Sequence, residues 1–286
     1  MSQSSSTRIT RRFDELRRAG DLGLVAYLTA GDPSLDATRR IVLAAAEAGA
    51  DIIELGVPFS DPLADGPVIQ RASERALAAG TTLVGVLDLV QEIRKESEVP
   101  LVVFSYFNPI LQMGLERFAE RTQAAGADGV LVTDLPPEDA GEHLAALRAR
   151  NLDSIFLAAP TTGDERMRCI AESSTGFLYV ISRTGVTGER DSLADELPAL
   201  LRRARRATNL PLAVGFGISL PGHVSVLGGL ADAAVVGSAL VAEVERAASP
   251  QDAAANVAAR VRILKQAGLH GMSRRDATVQ AQGENP

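Results

Sequence analysis

Eight short apolar runs, each followed by a stretch with helical spacing, recur along this 286-residue chain. The runs lie at 24–28, 51–55, 100–105, 128–133, 153–158, 177–182, 211–216 and 232–237. Most are continuously hydrophobic, the pattern of parallel strands covered on both faces. The intervening segments are rich in Ala, Leu, Arg and Glu and long enough for crossover helices. One of them, RRIVLAAAEAG, ends in Gly49, placed as a residue just past a helix end. Eight such units in succession predict an α/β fold, a closed (β/α)₈ barrel. An open doubly wound sheet is the alternative, but the segment after the first run reads TAGDP and lacks the glycine fingerprint of that fold. A weak echo supports one repeated solution: AGAD precedes a run at 48–51 and again at 125–128, and LADAAVVG at 230–237 repeats the theme.

No linker or composition shift divides the chain, so residues 1–271 are expected to form one domain. The polar, aperiodic tail 272–286 is expected to be disordered. The first residues, MSQSSSTRITRRF, have the Ser- and Arg-rich composition of a transit peptide. Ile9, Phe13 and Leu16, however, form one apolar stripe, which predicts a short extra N-terminal helix able to cover an open barrel end. Aromatic residues make up 4% of the chain and Trp is absent, so the core must be built from Ala, Val, Leu and Ile. A net charge of −7 argues against nucleic acid as a partner. A single cysteine, Cys169, excludes an internal disulfide and suits a reducing compartment. No apolar stretch has the length needed to cross a bilayer. The expected location is cytoplasmic.

In a (β/α)₈ barrel the active site lies at the C-terminal ends of the strands. The second run ends in ELGVPFSDPLADGPVIQ, the most unusual segment of the chain. Glu54 sits inside an otherwise apolar strand, where a charge is costly without a partner or a task. Asp61 and Asp65 follow on the loop, in turn-forming contexts that fit capping as well as chemistry. Elimination narrows the choice. The only lysines, Lys95 and Lys265, fall in helical patterns, which leaves no strand lysine for a Schiff base. His143, His223 and His270 are scattered without metal-ligand spacing and read as ordinary surface or helix histidines, so no metal site is expected. Cys169 has no nearby histidine to activate it. Carboxylates remain, and a pair in different surroundings can hold different protonation states.

Two further segments stand out. VGFGIS after run seven and VVGSA after run eight place glycines where barrels bind phosphate through main-chain N–H groups. SRTGVTGER after run six carries glycines at 185 and 188, the pattern of a lid that closes over substrate.

Together ELGVPFSDPLADGPVIQ, YLTAGDP, SYFNPIL, SRTGVTG, VGFGIS and VVGSA closely resemble the tryptophan synthase α-chain family, in order, from about Arg8 to Gly268. The resemblance implies a (β/α)₈ barrel that cleaves indole-3-glycerol phosphate to indole and glyceraldehyde 3-phosphate without a cofactor of its own. It implies that Glu54 is the general acid–base and that Asp65 accepts a hydrogen bond from the indole N–H. Tyr179 would support the glutamate, and Thr187 would meet Asp65 on lid closure. Gly188, Gly217, Gly237 and Ser238 match phosphate-binding positions; Tyr27, Ile69, Phe104 and Phe216 match the walls around the indole ring. The family works with a pyridoxal phosphate-dependent β subunit in an α₂β₂ assembly. Asp61, Pro62, Asn108 and Pro109 match segments facing that partner. Two other functions share the motifs: a stand-alone lyase releasing free indole, and a non-catalytic activator that keeps only the phosphate loops.

Overall fold

The computed structural model describes residues 7–182, 196–215 and 217–269. All eight apolar runs are strands, and every pairing between them is parallel. They are Gly23–Thr29, Ile52–Gly56, Leu101–Ser105, Gly129–Val132, a fifth in two pieces, Leu178–Ile181, Leu212–Gly215 and Ala233–Val236. The fifth breaks at Phe156: Asp153–Ile155 pairs with the fourth strand and Leu157–Ala158 with the sixth. The first strand pairs with the eighth, Gly23 opposite Ala233 through Ala26 opposite Val236. The sheet therefore closes into a (β/α)₈ barrel, with helices on its outer face.

Alternation along the strands separates two cores. Leu24, Ala26 and Leu28 point outward to the helices with Ile53, Leu55, Leu101 and Val103. Val25, Tyr27, Ile52, Val102, Phe104, Leu131, Ile155 and Tyr179 fill the barrel interior. The N-terminal helix Arg8–Ala19 seals the lower end, its stripe of Ile9, Phe13 and Leu16 joining the interior cluster. Phe13 packs on Phe177 at 5.8 Å between ring centroids.

The same helix is tied down by acids that begin the strands. Thr7 Oγ1 donates to Asp153 at 2.6 Å, Arg8 meets Asp128 at 3.1 Å and Arg12 meets Asp51 at 2.6 Å. The AGAD echo finds its physical reason here. Asp51 accepts from the Leu24 N–H at 2.6 Å, Asp128 from the Leu101 N–H at 2.9 Å and Asp232 from the Leu212 N–H at 2.7 Å. Each carboxylate satisfies a main-chain donor at the start of a neighbouring strand, where the ladder has not yet begun. The glycine before two of these acids has a positive φ, +107° at Gly49 and +91° at Gly126, the conformation that stops the preceding helix.

Candidate active site

Glu54 lies on the second strand in register with Tyr27 on one side and Val102 on the other. It shares the inward phase of Ile52, so its carboxyl enters the barrel near the C-terminal end. The residue is fully buried, and neither carboxylate oxygen has a hydrogen-bond partner among the described residues. Burial without donors penalises the charged form and raises its pKa to about 8. At neutral pH this side chain carries a proton.

Two tyrosines share its electrostatic surroundings. Burial pushes the ionisation of Tyr27 and Tyr179 well above the usual phenol range, and the charge of Glu54 pushes both further. For Tyr27 the charge of Asp65 contributes more to this rise than that of Glu54 does. Each ring lies over a glycine at a strand end. A Cβ on Gly56 would stand 2.1 Å from the Tyr27 hydroxyl, and one on Gly215 would stand 2.0 Å from the Tyr179 hydroxyl. Neither contact is possible, so both glycines are notches cut for tyrosine. We expect Gly56→Ala to displace Tyr27 and lower kcat/KM by about tenfold or more, since small misplacement at a reacting centre is costly. Steady-state kinetics with wild-type values would show the notch to be idle. Phe104 completes this wall, edge-on to Tyr27 at 5.1 Å, and Ile69 closes it from helix Pro67–Ala78.

Asp65 lies on the loop between the second strand and helix Pro67–Ala78. Partial burial raises its pKa to about 6, opposed by a hydrogen bond from Tyr106. That bond is long, 3.2 Å from the Tyr106 hydroxyl to Oδ2, while the same hydroxyl accepts from the Ala64 N–H at 3.0 Å. Phe59 stacks on the Tyr106 ring at 5.0 Å. Gln70 Nε2 donates to the Asp65 main-chain carbonyl at 2.9 Å. Neither Tyr106, within SYFNPIL, nor Gln70, at the end of ELGVPFSDPLADGPVIQ, stands out in the sequence. Their role depends on contacts that no local pattern encodes.

Asp61 is exposed and accepts from Ser60 Oγ at 2.6 Å. With Pro62, Phe59 and the 92%-exposed Leu63 it lines a surface cleft. Asn108 and Pro109 do not form a separate turn: they occupy the first turn of helix Phe107–Met113 at the same end of the barrel. Phe107 N–H donates to Asp134 at 2.7 Å, which fixes the start of that helix.

On the opposite side, Gly217 follows the seventh strand with φ +86° and open space where a Cβ would lie. Gly237 precedes helix Ser238–Arg246, and its carbonyl accepts the first N–H bonds of that helix. The main chain at Gly217 thus leaves room for an anion, whereas at Gly237 the Tyr27 side chain lies 3.5 Å from where a Cβ would stand. Thr187, Gly188, Phe216 and the tail 272–286 lie outside the described residues. His143 and His223 lie on helices, one of the two expected settings, but not on the surface: they are 4% and 6% exposed. His143 sits between Phe107 and Phe118, and burial lowers its pKa to about 4.

Comparison with known proteins bears on this geometry. A sequence model of the tryptophan synthase alpha chain matches residues 13–268. The tryptophan synthase alpha chain of Solibacter usitatus is 55% identical over 240 residues, spanning 84% of this chain and 90% of the relative. That of Citrifermentans bemidjiense is 50% identical over the same length, with the same coverage of each chain. Among solved structures, Mycobacterium tuberculosis tryptophan synthase superposes with a TM-score of 0.86 at 35% identity, covering 93% of this chain and 100% of that one. The tryptophan synthase subunit alpha of Legionella pneumophila gives 0.82 at 38% identity, covering 91% and 98%. A closed parallel barrel, a buried acid at the end of its second strand and similarity along nearly the whole chain lead to one assignment: the chain belongs to the tryptophan synthase α-chain family.

Proposed function

We propose that Glu54 and Asp65 divide the chemistry of indole-3-glycerol phosphate cleavage, the lyase reaction of this family. The observation that carries the reading is Glu54 itself, a buried carboxyl that meets no donor among the described residues and is protonated at neutral pH. It gives its proton to indole C3, which turns the ring into a cationic indolenine. Asp65, ionised above about pH 6, accepts the indole N–H and stabilises that cation. The Glu54 carboxylate then takes the proton of the adjacent glycerol hydroxyl. The O–H electron pair becomes the carbonyl of glyceraldehyde 3-phosphate, and the broken carbon–carbon bond returns its pair to the ring, releasing indole. Glu54 recovers its proton, so the cycle needs no external acid. Gly188, Gly217, Gly237 and Ser238 hold the phosphate at the far end of the substrate, and Thr187 meets Asp65 on lid closure. Tyr27, Ile69, Phe104 and Phe216 enclose the indole ring.

The exposed face formed by Asp61, Pro62, Asn108 and Pro109 receives a β subunit carrying pyridoxal phosphate, to which indole is passed within an α₂β₂ assembly. An indole-release assay with and without β subunit tests this. The chain alone is expected to turn over slowly, to co-elute with the β subunit and to accelerate about tenfold or more in its presence, a barrier change of about 1.4 kcal/mol. Separate elution and unchanged turnover would leave a stand-alone lyase instead.

A further inference from the structure

The two loops expected to hold the phosphate, VGFGIS and VVGSA, contain no basic residue. A dianion held by main-chain N–H groups alone gains from a cation nearby, even one that does not touch it. The structure supplies such a cation from behind. Arg260, on helix Pro250–Leu269, donates from Nη2 to the Ser219 carbonyl at 2.5 Å. Its Nε is buried without a hydrogen-bond partner, and among the described residues the guanidinium forms no ion pair with any carboxylate. Arginines in such settings are normally matched by an acid. Here no acid among the described residues matches the partly buried guanidinium, which lies against the loop that begins at Gly217.

The other side of the same residue is held by His223. The Ser219 N–H donates to His223 Nδ1 at 3.3 Å, from the residue just before the N-cap of helix Pro221–Leu227 back onto its first turn. A ring that accepts at Nδ1 carries its proton at Nε2, and Nε2 is buried and unpartnered. Ser219 is thus gripped at both its N–H and its C=O, by side chains four and 41 residues away. Gly217, two residues earlier, has the positive φ that turns the chain at this point.

We propose that Arg260 and His223 are positioning residues for the substrate phosphate, clamping Ser219 so that the Gly217–Ser219 loop is preformed, with Arg260 adding the positive charge that the loop lacks. The inference rests on the phosphate reading of Gly217 given above. Neither residue touches substrate; both act through the loop. The energetic logic is preorganisation: a loop already in its binding conformation loses less entropy when the anion arrives.

The test uses the full-length chain, indole-release kinetics and titration with glycerol 3-phosphate as the phosphate probe. Arg260→Ala is expected to raise both KM for indole-3-glycerol phosphate and Kd for the probe about tenfold, the worth of one charge-assisted hydrogen bond. Its kcat should stay within about twofold, because the chemistry at Glu54 is untouched. Arg260→Lys should recover most of the loss, since an ammonium keeps the charge and one donor. His223→Ala should raise both constants about threefold, and His223→Gln should restore them through its amide oxygen. Arg262→Ala, an exposed change on the same helix, should alter nothing. If Arg260→Ala does not fold, Arg260→Gln carries the same expectation. A folded Arg260→Ala with unchanged KM and Kd, whatever its melting temperature, overturns the inference and leaves the phosphate reading standing. Failure of the wild-type chain to bind the probe overturns the phosphate reading itself.

Discussion

Glu54→Gln is expected to lower indole release by about 10³-fold while KM changes by only a few-fold, because the variant keeps the shape of the site and loses its transferable proton. The same substitution should change how stability depends on pH. In the folded protein the Glu54 pKa is about 8, against 4.5 for an ordinary glutamate. Between these values the unfolded chain has released a proton that the folded chain retains. Stability contributed by this group therefore falls as pH rises through that window and is level outside it. Relative to the Gln variant, wild type should lose about 3 kcal/mol between about pH 5 and pH 8. Urea melts of both proteins at the two pH values measure the difference directly. Parallel pH dependences would mean that Glu54 is ionised in the folded state and enters the reaction as a base. Near-normal turnover in the variant would remove it from the chemistry altogether.

The second large effect concerns Asp65. Asp65→Asn should reduce kcat/KM by about 10²-fold, the cost of losing one preorganised charge opposite a developing cation. Its signature lies in the pH profile. With Asp65 at about 6 and Glu54 at about 8, the working state, one ionised and one protonated, dominates between those values. Wild-type kcat/KM should therefore be bell-shaped, rising as Asp65 ionises and falling as Glu54 gives up its starting proton. The Asn variant should lose the rising limb and keep the falling one. Retention of both limbs would assign the lower one to another group. The order of the two pKa values follows from surroundings: both groups are raised by burial, but only Asp65 has a hydroxyl, that of Tyr106, to hold it down.

Much of this was legible in the amino-acid sequence. Parallel strands buried on both faces produce runs such as LVVFS and LAVG that stand out without any alignment, and all eight appeared where the barrel needs them. Glu54 was visible for the opposite reason, as a charge interrupting such a run. The interruption of the fifth strand at Phe156 was not visible, because DSIFLA is apolar on both sides of the break. Tyr106 could not be linked to Asp65, 41 residues away, since only the folded barrel brings the loops after strands two and three together. Nothing in the sequence marked Gly56, because the hydroxyl that requires it belongs to a tyrosine on another strand. His143 and His223 are on helices as expected, but their burial was not legible, because one histidine on a helix does not reveal which face is covered. Arg260 was one of many arginines until its missing acid could be seen.

The helix that seals the lower end of the barrel also constrains how the chain can be assembled. Its anchors at Asp128 and Asp153 lie 120 and 146 residues further along. A ribosome adding about 5–20 residues per second exposes those acids many seconds after the helix has emerged. During that interval Ile9, Phe13 and Leu16 have no interior to enter, and the amphipathic segment must wait in solvent or on a chaperone. The first strand waits longer still, since Ala233 is its last neighbour. Closing the floor of the barrel therefore belongs to the end of synthesis, and truncated chains that stop before Asp153 should present this stripe to whatever in the cell binds exposed apolar helices.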